Sequence, residues 1–282
     1  MKCLSFIVGN QLSYGVLIES GLVDLGPVLG QQYPSLIDII EAGKLELVAE
    51  TIKITAPTLN LHQVQLCLPL PNVKRIFCVG RNYKGHVAEV GAKLPEFPTL
   101  FLRTAQSLVA SGSSIVRPQV SSNFDFEGEL TLVIGKAGRH ISEENALQHV
   151  FGYTILNDGS IRDYQMKHSL AVGKNFESAG SMGPWIVTSD EITDPSKLTL
   201  STHLNGVQVQ HSPTNDLIFD IPTIIAYISQ FTRLLPGDVI ATGTPDGVGF
   251  ARNPPLWMKP NDVISVTISG IGTLTNTVID EV

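Results

Sequence analysis

Cysteine is nearly missing from this 282-residue chain: Cys3, Cys67 and Cys78 are all there are, and no two form a CxxC pair. An odd, scattered set in apolar surroundings excludes a disulfide framework and a thiolate metal centre, and reads as free thiols in a reducing, cytoplasmic compartment. Charge is sparse too, at 16% of residues against 43% hydrophobic. Disorder needs the opposite balance and is excluded. Lysine and arginine total 19 against 26 acidic residues, for a net charge of −7, and no basic run occurs. Nucleic acid is therefore not an expected partner. Long apolar runs are lacking as well: stretches such as 130–134 and 221–228 fall far short of the ~20 residues that span a bilayer, so no membrane partner is expected. Polar residues break the apolar run in the first eleven positions, and no small-residue cleavage site follows it. The Gly-Lys-Ser/Thr loop, the dinucleotide glycine pattern, the GxSxG elbow and HExxH are all absent, which sets aside nucleotide, serine-hydrolase and zinc-protease chemistry.

What is present has the size of one large domain or two unequal ones. The first seventy residues carry short β-like runs at Leu4–Val8, Tyr14–Glu19 and Leu22–Val28, the last with a turn at Gly26-Pro27, then a helix candidate over Ser35–Glu41. Pro57, Pro69 and Pro71 mark a boundary. The expected division is a small N-terminal α+β domain, 1–70, and a catalytic domain, 71–282. The second part is strand-rich, with β-branched runs at Arg75–Val79, Glu129–Ile134, Phe151–Leu156, Trp185–Thr188, Leu198–Leu204, Val239–Thr242, Val263–Ile268 and Gly272–Ile279. Helices are expected over Lys84–Val90, Ser142–His149 and Thr223–Thr232. The class is α+β, mainly β, with no βαβ alternation.

The segment Phe124-Asp125-Phe126-Glu127-Gly128-Glu129-Leu130 is the most informative. Alternation along a strand puts Glu127, Glu129, Thr131 and Val133 on one side and Leu130, Leu132 and Ile134 on the other. Two carboxylates on one face repel unless a cation lies between them, and a hard divalent ion with oxygen ligands answers that need. The plainer alternative is a solvated strand face. Asp158 ends the apolar run 151–156 and is either a turn residue or a third carboxylate beside the glutamates. His86 and Glu89, three apart, are neighbours if helical, as a general base with its orienting carboxylate or as a surface ion pair. Arg162, Gln165 and Lys174 follow Asp158 closely and offer cations for an anionic substrate or an enolate oxygen, or are structural. In Ala241-Thr242-Gly243-Thr244-Pro245-Asp246-Gly247-Val248-Gly249, a glycine-rich turn lets backbone amides or Thr244 approach a carboxylate closely, or is simply tight.

Together the segments GRNYKGHVAEVG, FEGELTLVIGK, GYTILNDGSIRDYQ, GKNFESAGSMGPWIVT and ATGTPDGVG, in this order, resemble the fumarylacetoacetate hydrolase family, from about Arg75 to Val282, with an N-terminal extension like that of its bacterial two-part members. The resemblance implies a mixed β-sandwich roll, usually homodimeric. It implies Mg²⁺, with Mn²⁺ as the alternative, on Glu127, Glu129 and Asp158. It further implies His86 and Glu89 as the pair that closes over substrate and activates water, Lys174 as enolate stabiliser, and Arg162, Gln165 and Thr244 as pocket lining. Three departures bear on the pocket: Arg103 stands where many members have lysine, Ser181-Met182-Gly183 lacks a common proline, and Glu177 replaces a frequent aspartate.

The expected activity is hydrolysis of a carbon–carbon bond in a 1,3-diketo acid of the acylpyruvate type, a small anionic keto acid, to pyruvate and a carboxylic acid. Decarboxylation of oxaloacetate and isomerisation of a 2-hydroxy-diene-dioate are the alternatives that use the same enolate-forming site. A non-catalytic small-acid-binding β-domain is the alternative of another class.

Overall fold

The structure, a computed structural model, describes residues 1–282. Its main elements are β1 (Lys2–Val8), β2 (Gln11–Ile18), β3 (Gly21–Asp24), α1 (Leu36–Glu41), α2 (Leu45–Ile54), β4 (Ile76–Gly80), α3 (Lys84–Glu89), β5 (Thr99–Arg103), β6 (Ile115–Arg117), β7 (Gly128–Ile134), β8 (Val150–Asn157), α4 (Arg162–Lys167), α5 (Leu170–Gly173), β9 (Gly180–Thr188), β10 (Thr199–Leu204), β11 (Val207–Pro213), α6 (Ile221–Phe231), β12 (Val239–Ala241), β13 (Val263–Ile268) and β14 (Gly272–Asp280). One large sheet runs in the order β3-β2-β1-β9-β8-β7-β12-β4-β5, and a second in the order β11-β10-β13-β14-β6.

Alternating side chains of β7 enter two different cores. Leu130, Leu132 and Ile134 join Leu200, Val266 and Ile268 of the second sheet and the Ile221, Ile224, Ile225 and Ile228 stripe of α6. Val133 faces the other way, into a core shared with Cys3, Tyr14, Val16, Leu36, Ile39 and Ile40 of the N-terminal part. Every residue of β7 is buried, so the strand has no solvated face. A sheet covered on both sides favours apolar residues at every position, which is why polar residues near β7 stand out as purposeful.

Residues 1–70 do not stand apart in space. β1 pairs antiparallel with β9 (Lys2↔Val187, Cys3↔Ile186) and so extends the large sheet. Most expected strands are present with ends shifted by a few residues. Gly26-Pro27 opens a short helix, Gly26–Leu29, with proline in its first turn. The region expected as one helix from Ser142 is a short helix, Glu143–Ala146, followed by a 3₁₀ turn, with Ser142 before it. No helix is long and apolar enough to cross a membrane.

Candidate active site

Strand register assembles the acidic centre. β7 and β8 pair with Gly128 opposite Asn157 and Glu129 opposite Leu156. Glu127 lies one residue before β7 and Asp158 one residue beyond β8, so the ladder sets them across from each other, and the Asp158 amide donates to the Glu127 carbonyl at 2.7 Å. β12 flanks β7 on its other side, pairing Ala241 with Thr131. That register carries Gly243 to Glu129, where its amide donates to Oε2 at 2.9 Å. One carboxylate oxygen from each of Glu127, Glu129 and Asp158 falls within 4.8 Å of the others, and all three residues are buried.

Two cations are inserted among these acids. Lys174, just past α5 and 2% exposed, places Nζ 2.6 Å from both Glu127 Oε2 and Asp158 Oδ2. Arg162, opening α4, donates through Nη2 to Glu127 Oε1 at 2.6 Å, through Nε to Asp125 Oδ2 at 2.8 Å and through Nη1 to Gln165 Oε1 at 3.0 Å. Its guanidinium lies 4.4 Å from the Phe250 ring centroid. Arg103, at the end of β5, is a third buried cation and pairs with Asp158.

The electrostatic result is uneven. Burial pushes the Glu127 pKa up, but Lys174 and Arg162 outweigh it and hold that carboxyl well below the ordinary range. Burial drives Glu129 the other way, with Asp158 and Glu127 adding repulsion, so its pKa lies well above the ordinary value. Burial alone lowers Lys174, yet Asp158 and Glu127 more than restore it, and it stays an ammonium at neutral pH. Four buried carboxylates (Asp125, Glu127, Glu129, Asp158) face three buried cations (Arg103, Arg162, Lys174), and Glu129 is the one without an ion pair. An all-oxygen donor set with an unneutralised carboxylate fits a hard divalent cation.

His86 and Glu89 lie one turn apart on α3, with His86 Nδ1 3.5 Å from Glu89 Oε2. His86 is 5% exposed, so this is no surface ion pair. Neither Nδ1 nor Oε2 has a hydrogen-bond partner, while Glu89 Oε1 accepts the Gly247 amide at 2.9 Å. The pair is in register and a few tenths of an ångström from a hydrogen bond, a looseness common in sites without substrate.

A cavity of about 350 Å³ joins these groups: Glu127, Glu129 and Asp158 line it together with His86, Arg162, Gln165, Lys174 and Thr244. Of the nine candidate site residues picked out in the sequence, all but Glu89 line it, and Glu89 reaches it through His86, whereas Arg103, Glu177 and Ser181 do not line it. The glycine-rich turn does bring backbone amides close to carboxylates, the first of the two readings its sequence allows. Its amides approach carboxylates of this chain: Gly243 to Glu129, Gly247 to Glu89, and Gly249 to Asp125 at 2.7 Å. The Thr244 hydroxyl donates to the Gly128 carbonyl at 3.0 Å and accepts from Gln210 Nε2 at 2.8 Å. Asp125 and Gln210 are the inner residues that sequence reasoning passed over. Asp125 had a signal, since it sits two residues before Glu127; Gln210, on β11, had none.

The family model for the fumarylacetoacetate (FAA) hydrolase C-terminal domain matches residues 75–279. The oxaloacetate tautomerase YisK of Bacillus subtilis (strain 168) is 41% identical over 222 residues, spanning 77% of this chain and 74% of its own. Among solved structures, the fumarylacetoacetate hydrolase of psychrophilic Exiguobacterium antarcticum superposes with a TM-score of 0.89 at 35% identity, over the whole of both chains. The maleylpyruvate hydrolase of Sphingobium sp. SYK-6, in complex with manganese(II) and pyruvate, does so with a TM-score of 0.83 at 29% identity, again over the whole of both chains.

Proposed function

The chain belongs to the fumarylacetoacetate hydrolase family, and on that premise we propose that it is a divalent-metal-dependent enzyme that interconverts the keto and enol forms of an oxaloacetate-type 2-oxo diacid. The observation that carries this reading is the buried triad Glu127, Glu129 and Asp158 sharing one cavity with His86 and Lys174. The similarity to an oxaloacetate tautomerase supports the substrate class over the acylpyruvates that the sequence alone favours.

We assign the triad as ligands of Mg²⁺, with Mn²⁺ as the alternative supported by the Sphingobium complex. The bound ion supplies a Lewis acid for the oxygens of the 2-oxo acid. The remaining work falls to the chain. In enolisation the substrate C3–H bond breaks, its electron pair forms the C2=C3 double bond, and the 2-oxo oxygen gains a proton. His86, through the ring nitrogen turned away from Glu89, takes the C3 proton, and Glu89 fixes its tautomer as the pair closes. Lys174, held protonated, donates to the oxygen where charge develops. Arg162 fixes the orientation of Glu127 and Gln165, and Gln165 and Thr244 shape the wall against which substrate lies. A homodimer is the assembly we propose with this fold.

A second reading, hydrolysis of an acylpyruvate, is favoured by the same His86–Glu89 pair, which would then activate a water. Decarboxylation and diene-dioate isomerisation share the enolate step.

The test follows the enol absorbance of oxaloacetate with Mg²⁺ and after EDTA, with product analysis on a panel of acylpyruvates. The expected result is metal-dependent tautomerisation without pyruvate release. His86→Ala keeps Mg²⁺ binding and loses roughly 10²–10⁴-fold in rate, whereas Glu127→Ala loses both. Pyruvate and the matching acid appearing from an acylpyruvate, with no acceleration of oxaloacetate, establishes the hydrolase instead. Full activity of a metal-free Glu127→Ala protein overturns both.

A further inference from the structure

Three cations line the cavity, and two of them are already ion-paired to its acids. Lys174 pairs with Glu127 and Asp158, and Arg162 with Asp125 and Glu127 beside Gln165, so the charge of both is matched within the site. The third, Arg81, is exposed and forms no ion pair; its guanidinium makes one long contact, Nη2 to Thr99 Oγ1 at 3.4 Å. Its backbone is also costly, with φ at +56°, in the left-handed region that glycine occupies freely and other residues seldom do. A charged residue held in that conformation at the wall of a cavity points to use rather than packing.

Topology and charge say what that use is. Arg81 directly follows β4, and only β12 lies between β4 and β7, the strand that carries Glu129. Two strand spacings set these strands about 10 Å apart. A four-carbon diacid and an arginine side chain together cover that distance. At the inner end, the four buried carboxylates and three buried cations leave one negative charge, which a divalent ion turns into one positive charge. The carboxylate beside the 2-oxo group neutralises it. A second carboxylate finds no free cation there, and Arg81 is the one cavity-lining cation left to receive it.

We propose that Arg81 is the receptor for the substrate's distal carboxylate and sets a preference for 2-oxo diacids over 2-oxo monoacids. The proposal rests on the reading that the triad end of the cavity engages a 2-oxo acid.

The test is calorimetry on Mg²⁺-loaded protein with 3,3-difluorooxaloacetate, which has no C3 proton to exchange, against pyruvate, which lacks the distal carboxylate. The native protein is expected to bind the diacid at least tenfold more tightly. Arg81→Gly, which suits the left-handed backbone, is expected to melt no lower than the native protein, to lose that preference and to bind pyruvate as before. Arg81→Lys, which keeps the charge without the fork, is expected to fall between. A merely structural role would lower the melting temperature or weaken both ligands equally, and either result overturns the proposal. So does a native protein that binds the two ligands alike, or an Arg81→Gly protein that keeps the preference. If the preference depends on Arg81 but oxaloacetate is not tautomerised, the receptor stands and the tautomerase reading fails. If oxaloacetate is tautomerised and the preference survives Arg81→Gly, the reverse holds.

Discussion

At the residue scale, Glu129 is where stability and function oppose each other. Glu127 has Lys174 and Arg162, and Asp158 has Lys174 and Arg103, but Glu129 receives only the Gly243 amide. Burial, aggravated by Asp158 and Glu127, raises its pKa, so at neutral pH ionising it costs the metal-free folded state stability, while the unfolded chain carries that charge freely. Glu129→Gln keeps an oxygen for the Gly243 amide and removes that charge. In EDTA the variant is expected to be more stable than the native protein by roughly 1–3 kcal/mol, the usual penalty of a poorly compensated buried polar group. With Mg²⁺ the order reverses. The native protein gains about 4.1 kcal/mol at a thousandfold excess over its dissociation constant, and the variant gains nothing. Thermal melts with and without the metal check both halves. A variant less stable in EDTA would mean that Glu129 is adequately compensated and has no need of a cation.

At the scale of elements, the site depends on the loop after β12 lying close against the turn after β4. Gly243 has φ at +105°, and an added Cβ there would stand 2.8 Å from Asn82 Cβ and 2.9 Å from the Val79 carbonyl oxygen. Asn82 is itself fixed, its amide bridging Thr242 and Phe219 backbone oxygens at 2.8 and 2.9 Å. Neither backbone can yield, so Gly243→Ala is expected to cost roughly 1–3 kcal/mol and to weaken Mg²⁺ binding by displacing Glu129. A melt and a metal titration check the two effects, and an unaltered metal affinity would show that Glu129 is positioned without this loop. The glycine-rich motif was legible in the sequence, but the target of its amides was not, because that depends on which strand β12 joins. The triad was legible because EGE and the Asp after an apolar run sit at the ends of two strands that pair. Arg103 was visible only as a departure in the pocket, and its contact with Asp158 spans 55 residues. α2 escaped notice because its sequence, LELVAETIKI, mixes β-branched residues into a helical period and begins without a side-chain cap. α4 and α5 are too short to show periodicity.

At the scale of the whole molecule, the boundary near residue 70 that the prolines mark is a boundary of sequence, and the packing crosses it. β1 covers the edge of β9, and Cys3, Tyr14, Val16, Leu36, Ile39 and Ile40 share one core with Val133, Phe151, Leu156, Met182, Val239 and Ala241. The face of the large sheet opposite α6 is thus dry only while residues 1–70 lie on it. A buried large apolar side chain is worth roughly 1.5–3 kcal/mol, and a domain's net stability is only about 5–15 kcal/mol. Uncovering even half a dozen such side chains of residues 71–282 removes that margin. A chain of residues 71–282, although it holds every residue assigned to the site, is therefore expected not to fold alone. It should lack a cooperative melt and bind a hydrophobic dye, and adding the 1–70 segment in trans should restore a transition. A cooperative melt and Mg²⁺ binding by 71–282 alone would show instead that β7, β8 and β12 hold the triad in register without the N-terminal cover, leaving residues 1–70 a separable cap.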